Sequence, residues 1–286
     1  SPENAAAWSE TNNAFDLAAG LEPRHAEKWR HAPDNRSRST GRGSSTARRS
    51  KGRRFLQVAA AAAAAIVLAL AGPDLLILTQ ADYVTATAEV QEINLPDGTK
   101  VHLGADSAMT VDMKAATRRI DLLQGEALFE VTHDQNRPFL VSSGDLLVRV
   151  TGTTFHVQAS GSVAVGSGSV EVATLSESQT EELKAGDWAR LDRGGAMTRG
   201  TAPPEDITSW IDGRLIVRNR TIGDVIDDLS RYHRGRIIVT ATDLTSRRVT
   251  GVYKTGDPIA ALRLLADAER VRLREISPWV ILITDP

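Results

Sequence analysis

The spacing of hydrophobic and polar residues changes along the chain, and each change predicts a different kind of element. A stretch without any charged residue runs from Phe55 to Pro73. From Val84 to about Asp192 apolar and polar residues alternate, which is typical of β-strands. Beyond Glu205, helical and alternating spacings both occur. The fold class predicted from the sequence is therefore a multidomain chain with a helical span, an all-β domain and a C-terminal α+β domain.

The uncharged stretch has the length of a membrane-spanning helix. About eighteen residues at roughly 1.5 Å each extend about 27 Å, close to the hydrocarbon thickness of a bilayer. Eight Lys/Arg and no acidic residue lie between Arg36 and Arg54, directly before it. Because basic flanks stay in the cytoplasm, we expect a transmembrane helix over residues 55–78 with the N-terminus inside. The residues expected to anchor the chain in the lipid bilayer are Arg53, Arg54, Phe55, Leu56 and Leu70.

Other interpretations of this region stay open at this stage. Ala69-Leu70-Ala71 has the form of a signal-peptide cleavage site, although 54 residues precede the apolar stretch, far more than an ordinary signal peptide carries. A buried, alanine-rich helix of a soluble protein is a further possibility. The basic, Ser/Arg-rich tether over residues 34–54 could contact nucleic acid. Beside a membrane span, however, such a tether favours anionic lipid, so we expect no direct binding of nucleic acid.

Residues 1–33 predict two short helices separated by Gly20 and Pro23, with bulky apolar residues at helical intervals. About thirty residues are too few to bury a self-sufficient core. The segment is therefore either a partly ordered tail or a helical binder of a cytoplasmic partner. In the second case the contacts would be made by Trp8, Phe15 and Trp29.

Four motifs occur in order in the predicted all-β domain, which spans residues 84–195. They are Leu95-Pro96-Asp97-Gly98-Thr99, Leu123-Gln124-Gly125-Glu126-Ala127, Arg137-Pro138-Phe139 and Val150-Thr151-Gly152-Thr153-Thr154-Phe155. Asp97-Gly98 is also a signal for a tight turn between two strands. Together, the four motifs resemble the periplasmic domain of FecR-type sigma-factor regulators.

Residues 205–286 predict a split β-α-β domain. Thr221 can cap one helix, and Asp257-Pro258 can begin a second. The predicted order, β-α-β-β-α-β-β, resembles the short N-terminal domain of secretins and TonB-dependent transporters, and the C-terminal domain of FecR-type proteins. Exposed strand edges can accept a strand from a partner. The expected contact residues are Leu215, Ile216, Val217, Val252 and Tyr253.

The resemblance implies an anti-sigma regulator in signal transduction at the bacterial cell surface. Such a protein is a single-pass inner-membrane protein with its C-terminal domains in the periplasm. It sequesters an extracytoplasmic-function sigma factor and relays a signal from the signalling domain of an outer-membrane TonB-dependent transporter, commonly in iron uptake. Residues 1–33 resemble part of the family's helical anti-sigma domain. Because one helix transmits rigid motion poorly, we expect regulated proteolysis by periplasmic and intramembrane proteases. A different class also remains open, an envelope assembly or secretion component that uses its C-terminal domain for strand addition.

The composition offers little catalytic chemistry. Cys is absent, which excludes disulfides and thiol nucleophiles, and the six His show no metal-ligand spacing. We therefore expect no metal, no cofactor and no enzyme activity, with one possible exception. The hydroxyl of Thr153 could attack the carbonyl of Gly152 and convert the peptide bond to an ester that water cleaves. Some FecR-type proteins cleave themselves at such a Gly-Thr, but Gly152 could equally serve only as a turn residue.

Overall fold

The structure is a computed structural model that describes residues 77, 79–114, 118–174, 179–192 and 194–286, all within one compact unit. The predicted cytoplasmic segment, the tether and nearly all of the predicted transmembrane helix lie outside these residues. So do the predicted contact and anchor residues Trp8, Phe15, Trp29, Arg53, Arg54, Phe55, Leu56 and Leu70. Within the described ranges, no helix has the length and apolar character needed to cross a membrane.

The first described domain is a sandwich of two seven-stranded sheets. Its strands are β1 (Tyr83–Val84), β2 (Gln91–Asn94), β3 (Lys100–Leu103), β4 (Ala108–Met113), β5 (Arg118–Gln124), β6 (Glu126–Glu130), β7 (Phe139–Ser143), β8 (Leu146–Val150), β9 (Thr154–Gln158), β10 (Ser162–Ser167), β11 (Ser169–Thr174), β12 (Thr180–Lys184), β13 (Asp187–Leu191) and β14 (Met197–Thr201). One sheet has the order β1-β4-β5-β7-β8-β11-β12, and the other has the order β14-β13-β10-β9-β6-β3-β2. Strands β5 and β7 are parallel, whereas β4 and β5 are antiparallel. The predominantly β architecture predicted for this region is confirmed.

Alternating side chains from both sheets form the core of the sandwich. Phe129, Phe139 and Phe155 are fully buried, and the rings of Phe129 and Phe155 stack with centroids 5.2 Å apart. Because successive residues of a strand point to opposite faces, each strand contributes every second residue to this core. The apolar alternation in the sequence therefore sets which face of each sheet is buried.

A buried arginine fixes the predicted turn at Asp97-Gly98. Gly98 has a φ of 85°, which suits glycine, and its N–H donates to the carbonyl of Leu95. Arg118 is 1% exposed, and its Nη1 lies 3.0 Å from Asp97 Oδ2. The same guanidinium donates to the carbonyls of Thr132 and Arg137. The ion pair and these hydrogen bonds hold the turn against the end of the sandwich.

The C-terminal part contains three helices and five strands. They are α1 (Pro204–Thr208), β15 (Arg214–Thr221), α2 (Ile222–Ser230), β16 (Arg236–Val239), β17 (Arg248–Lys254), α3 (Pro258–Glu269), β18 (Arg272–Ser277) and β19 (Val280–Thr284), with a short 3-10 turn at Leu244–Ser246 before β17. Strands β15 and β17 form a two-stranded antiparallel sheet, and β16, β19 and β18 form a three-stranded sheet in that order. Helices α2 and α3 pack with both sheets around a second core.

Local signals explain where the two longer helices begin. The Thr221 side chain accepts a hydrogen bond from the Asp224 N–H at the start of α2, and the Asp257 side chain accepts one from the Ala260 N–H at the start of α3. Each satisfies an N–H that has no partner within its helix. Pro258 follows at the first position of α3, where its missing N–H costs nothing.

Candidate functional site

Strand β6 is buried on both of its faces, because the C-terminal part covers the outer face of its sheet. Ala127 and Phe129 point into the sandwich core. Leu128 points outward and packs against Ile207 and Trp210 from the α1 region in a separate buried cluster. A charged side chain at the outward position before Leu128 is therefore placed at the junction between the sandwich and the C-terminal part.

Glu126 is that charged side chain, and it connects the two parts directly. It is the first residue of β6, and its side chain is only 4% exposed. Its Oε1 lies 2.7 Å from Nη2 of Arg231, the residue that follows α2. Its Oε2 lies 2.9 Å from Nε2 of His156 on the neighbouring strand β9. A carboxylate of the sandwich thus binds a guanidinium that is 105 residues away in the sequence.

Two more charges and an amide complete what we call the junction network. Asp228 on α2 is 5% exposed, and its Oδ1 lies 2.9 Å from Arg231 Nη2. Its Oδ2 lies 2.7 Å from Nη1 of Arg220 on β15. The amide of Gln158 donates to both carboxylates, at 3.3 Å from Glu126 and 3.4 Å from Asp228. Two buried carboxylates are therefore balanced by two partly buried guanidiniums.

The electrostatics keep the central pair of the junction network charged. Burial raises the pKa of Glu126, but the charge of Arg231 and hydrogen bonds from His156 and Gln158 outweigh burial and bring the pKa to about 2. Burial likewise lowers the pKa of Arg231, but the charges of Glu126 and Asp228 raise it above its usual value. Removing one member of such a set leaves an uncompensated charge in the interior. The ion pairs of the junction network therefore hold the sandwich and the C-terminal part together.

A cleft of about 570 Å³ adjoins the junction network between the sandwich and the C-terminal part. Arg190 of β13 and Asp224 of α2 form an ion pair at its wall, with Nη1 and Oδ2 2.5 Å apart. Trp210 and Arg220 also line the cleft, and among the described residues neither Trp210 Nε1 nor Arg220 Nε has a hydrogen-bond partner. Apolar, aromatic and charged side chains therefore share the lining of the cleft.

Gly152 and Thr153, the predicted site of self-cleavage, lie between β8 and β9. A Cβ on Gly152 would lie 2.7 Å from the Cα and 2.5 Å from the Nδ1 of His133, so close approach, not a positive φ, requires glycine here. Thr153 is 5% exposed, and its hydroxyl donates to the carbonyl of Ser169 at 2.9 Å. The structure therefore places an imidazole against this peptide and engages the hydroxyl in a hydrogen bond.

The residues predicted to contact a periplasmic partner alternate between the two faces of the β15–β17 sheet. Leu215, Val217 and Tyr253 pack toward the core of the C-terminal part, and Val217 and Tyr253 are buried. Ile216 pairs with Val252 in register, and Val252 is 61% exposed. Of the five predicted residues, Val252 therefore has the largest exposed fraction. Ile216 lines the cleft.

The residues of the junction network were not singled out from the sequence. Glu126 offers the only usable signal, because it opens β6 and the three residues that follow it, Ala127-Leu128-Phe129, are apolar. A charged residue at the start of an apolar strand is, however, also expected where the end of the strand is exposed to solvent. Asp228 lies on α2 and Arg231 directly follows it, and the charged positions of this helix look like an ordinary solvated face.

Comparison with known proteins gives the family of the first domain. The family model described as FecR protein matches residues 81–171, from just before β1 into β11. Two crystal structures of a candidate anti-sigma factor from Parabacteroides distasonis ATCC 8503, at 1.65 and 2.50 Å resolution, are similar to the chain, with TM-scores of 0.66 and 0.65.

Each likeness covers 71% of this chain and 98% of the other chain at 24% identity, which establishes a shared fold. No curated protein matches the chain. Residues 81–171 therefore match the FecR family, and the resemblance to FecR-type regulators is confirmed for this part of the chain.

Proposed function

We propose that this chain is a single-pass inner-membrane anti-sigma regulator that sequesters an extracytoplasmic-function sigma factor. The observation that carries the proposal is the FecR match over residues 81–171. The shared fold with a candidate anti-sigma factor supports it, as does the uncharged stretch after a basic run, with its predicted orientation. In this arrangement Trp8, Phe15 and Trp29 lie on the cytoplasmic side, where the sigma factor is.

We further propose that the C-terminal part receives the signal from a TonB-dependent outer-membrane transporter. Strands β15 and β17 form a sheet of two strands, so each has one edge without a strand partner among the described residues. Such an edge can accept an added strand from a signalling domain. Val252, exposed on the outer face of this sheet, supplies apolar contact area beside the edge.

The first experiment is mass spectrometry of proteins that co-purify with the C-terminally tagged full chain from its own membranes. We expect a sigma factor and a TonB-dependent transporter. Trp8→Ala with Trp29→Ala should lose the sigma factor and keep the transporter, whereas Val252→Asp should do the reverse. Leu264→Asp is the matched control, because Leu264 is similarly exposed, at 64%, but belongs to α3 and not to this sheet. Secretion-channel subunits in place of a sigma factor would refute the proposal.

The signal would cross the membrane by stepwise proteolysis that releases the cytoplasmic segment with its sigma factor. A single helix between two folded parts is a poor transmitter of rigid motion, whereas cleavage needs only exposure of the chain. Immunoblots against an N-terminal tag should show a short fragment when the transporter is occupied. Full signalling without any such fragment would contradict this step.

We also propose self-cleavage between Gly152 and Thr153. The Thr153 Oγ attacks the Gly152 carbonyl carbon, and the C–N bond breaks to leave an ester and a free Thr153 amine. Water then hydrolyses the ester, which regenerates the hydroxyl and leaves a Gly152 carboxylate. We assign His133, whose ring lies beside Gly152, the role of accepting the hydroxyl proton once the bond to Ser169 is released.

Self-cleavage is tested by the fragment pattern of the full chain on a denaturing gel. Thr153→Ala should abolish the two fragments and Thr153→Ser should retain them, while Thr151→Ala, two residues away, is the control. An unchanged pattern in Thr153→Ala would show that the hydroxyl takes no part.

A further inference from the structure

The three-stranded sheet of the C-terminal part buries only one of its faces. Ile237, Val239, Ile281 and Ile283 pack into the core with α2 and α3. The alternate residues of β16, β19 and β18 point the other way. They form a surface that we call the arginine face, made of Arg236, Ile238, Val280, Leu282, Arg272 and Arg274.

The arginine face combines unpaired positive charge with apolar side chains. Arg236, Arg272 and Arg274 are exposed, and within the described ranges none of them forms an ion pair. Ile238 is 44% exposed between them. The exposed surface continues into the β18–β19 hairpin, where Ile276 is 60% and Trp279 is 62% exposed.

No acidic residue occupies an outward position of these three strands. Glu275 of β18 pairs with Ile281, a core residue, so it lies on the inner side of the sheet. Its carboxylate is bound there by Arg263 of α3. Exposed Trp and Ile beside several Arg are typical of surfaces that lie in the interface of an anionic membrane.

The fold also ties this sheet to the chain that leaves the predicted membrane span. The Ala88 N–H donates to the carbonyl of Arg231 at 3.0 Å, ten residues beyond the predicted end of the span at residue 78. Ten extended residues reach at most about 35 Å. Arg231 is five residues before the start of β16, whose first N–H, on Arg236, donates to the Trp279 carbonyl at 2.8 Å. The arginine face is therefore tethered close to the bilayer that the chain is proposed to cross.

We propose that the C-terminal part docks by its arginine face on the anionic surface of that bilayer. This rests on the proposed single-pass topology. The guanidiniums contact lipid phosphates, and Trp279 with Ile276 enters the headgroup region. The face is distinct from the outer side of the β15–β17 sheet, so a protein partner and the membrane can hold the same domain at once.

The test uses the full chain, whose lack of Cys permits single labels at chosen positions. Ile276→Cys and Val252→Cys, matched at 60% and 61% exposure, are labelled with an environment-sensitive fluorophore and reconstituted into vesicles. In phosphatidylglycerol-containing vesicles, nitroxide lipids should quench the label at residue 276 severalfold more than the label at residue 252. In phosphatidylcholine alone, or with Arg236, Arg272 and Arg274 all changed to Glu, that difference should disappear.

Equal quenching at both positions in anionic vesicles would overturn the docking proposal. So would a label at residue 276 that responds only when an acidic protein is added, because the face would then serve a protein partner. Carbonate extraction of the same vesicles reports separately on the membrane span. A chain that carbonate releases, yet whose label at residue 276 is quenched before extraction, would refute the proposed topology and leave the docking in place.

Discussion

Replacing Glu126 by Gln should destabilise the folded chain far more than a neighbouring substitution of the same kind. The change removes one charge from the junction network but keeps the side-chain shape. The pKa of Glu126 is lowered from 4.5 to about 2. At about 1.4 kcal/mol per pKa unit, the charged form stabilises the fold by roughly 3 kcal/mol. For a region of this size, that corresponds to a fall in Tm of about 6–12 °C.

Glu130→Gln is the matched control for this substitution. Glu130 lies on the same strand and also contacts a histidine, with its Oε1 3.2 Å from His102 Nε2, but its side chain is 46% exposed. Exposed pairs of this kind contribute about 0.2–1 kcal/mol, so its Tm should fall by no more than about 4 °C. Thermal unfolding followed by tryptophan fluorescence compares the two, since Trp210 lies against His156 in the junction.

The pH dependence of the Tm difference between the wild type and Glu126→Gln provides a second check, because the pKa of Glu126 fixes the direction of the change. Because the folded-state pKa of Glu126 is depressed, its stabilisation is complete above pH 4.5 and is lost as the pH falls toward 2. The difference in Tm between the wild type and Glu126→Gln should therefore shrink over that window. A Glu126→Gln variant that matches Glu130→Gln in Tm, or a difference that does not change between pH 4.5 and 2, would refute the electrostatic account of the junction.

Three further substitutions are expected to lower the Tm for different reasons, each measured by the same unfolding assay. Arg118→Met leaves the buried Asp97 carboxylate without its cation and should cost about 3–5 kcal/mol. An effect below about 1 kcal/mol, the size expected for a surface ion pair, would contradict this. Gly152→Ala forces a Cβ toward the His133 backbone and should cost about 1–3 kcal/mol, and a neutral result would show that His133 can move away. Asp257→Ala removes the cap of α3 and should cost about 1 kcal/mol, whereas Asp257→Asn should restore most of it.

The strands, the Asp97-Gly98 turn and the helix starts could be predicted from the sequence because each depends on residues close together in the chain. A strand shows its buried face by alternation, and Thr221 bonds an N–H only three residues away. The pairing of strands is harder to predict from the sequence. The parallel neighbours β5 and β7 are separated by β6, which crosses to the other sheet, and no local pattern records that crossing.

The junction network could not be predicted from the sequence, because its residues are far apart in the chain. A charged side chain is expected at the surface unless a partner neutralises it, and the partner of Glu126 lies 105 residues further along. The buried position of Arg118 could not be predicted from the sequence either. Two of its hydrogen-bond acceptors are backbone carbonyls, which do not depend on the type of residue. Buried charges become recognisable only when the fold brings their partners together.

In the function proposed above, Arg231 is the residue through which a signal at the C-terminal part would reach the rest of the chain. Its guanidinium binds Glu126 of the sandwich and Asp228 of α2, and its carbonyl accepts the N–H of Ala88. A displacement of the end of α2 therefore changes three regions together, including the segment that follows the predicted membrane span. In that proposal, a partner bound to the β15–β17 sheet would act through α2 and Arg231 on the segment that follows the predicted membrane span.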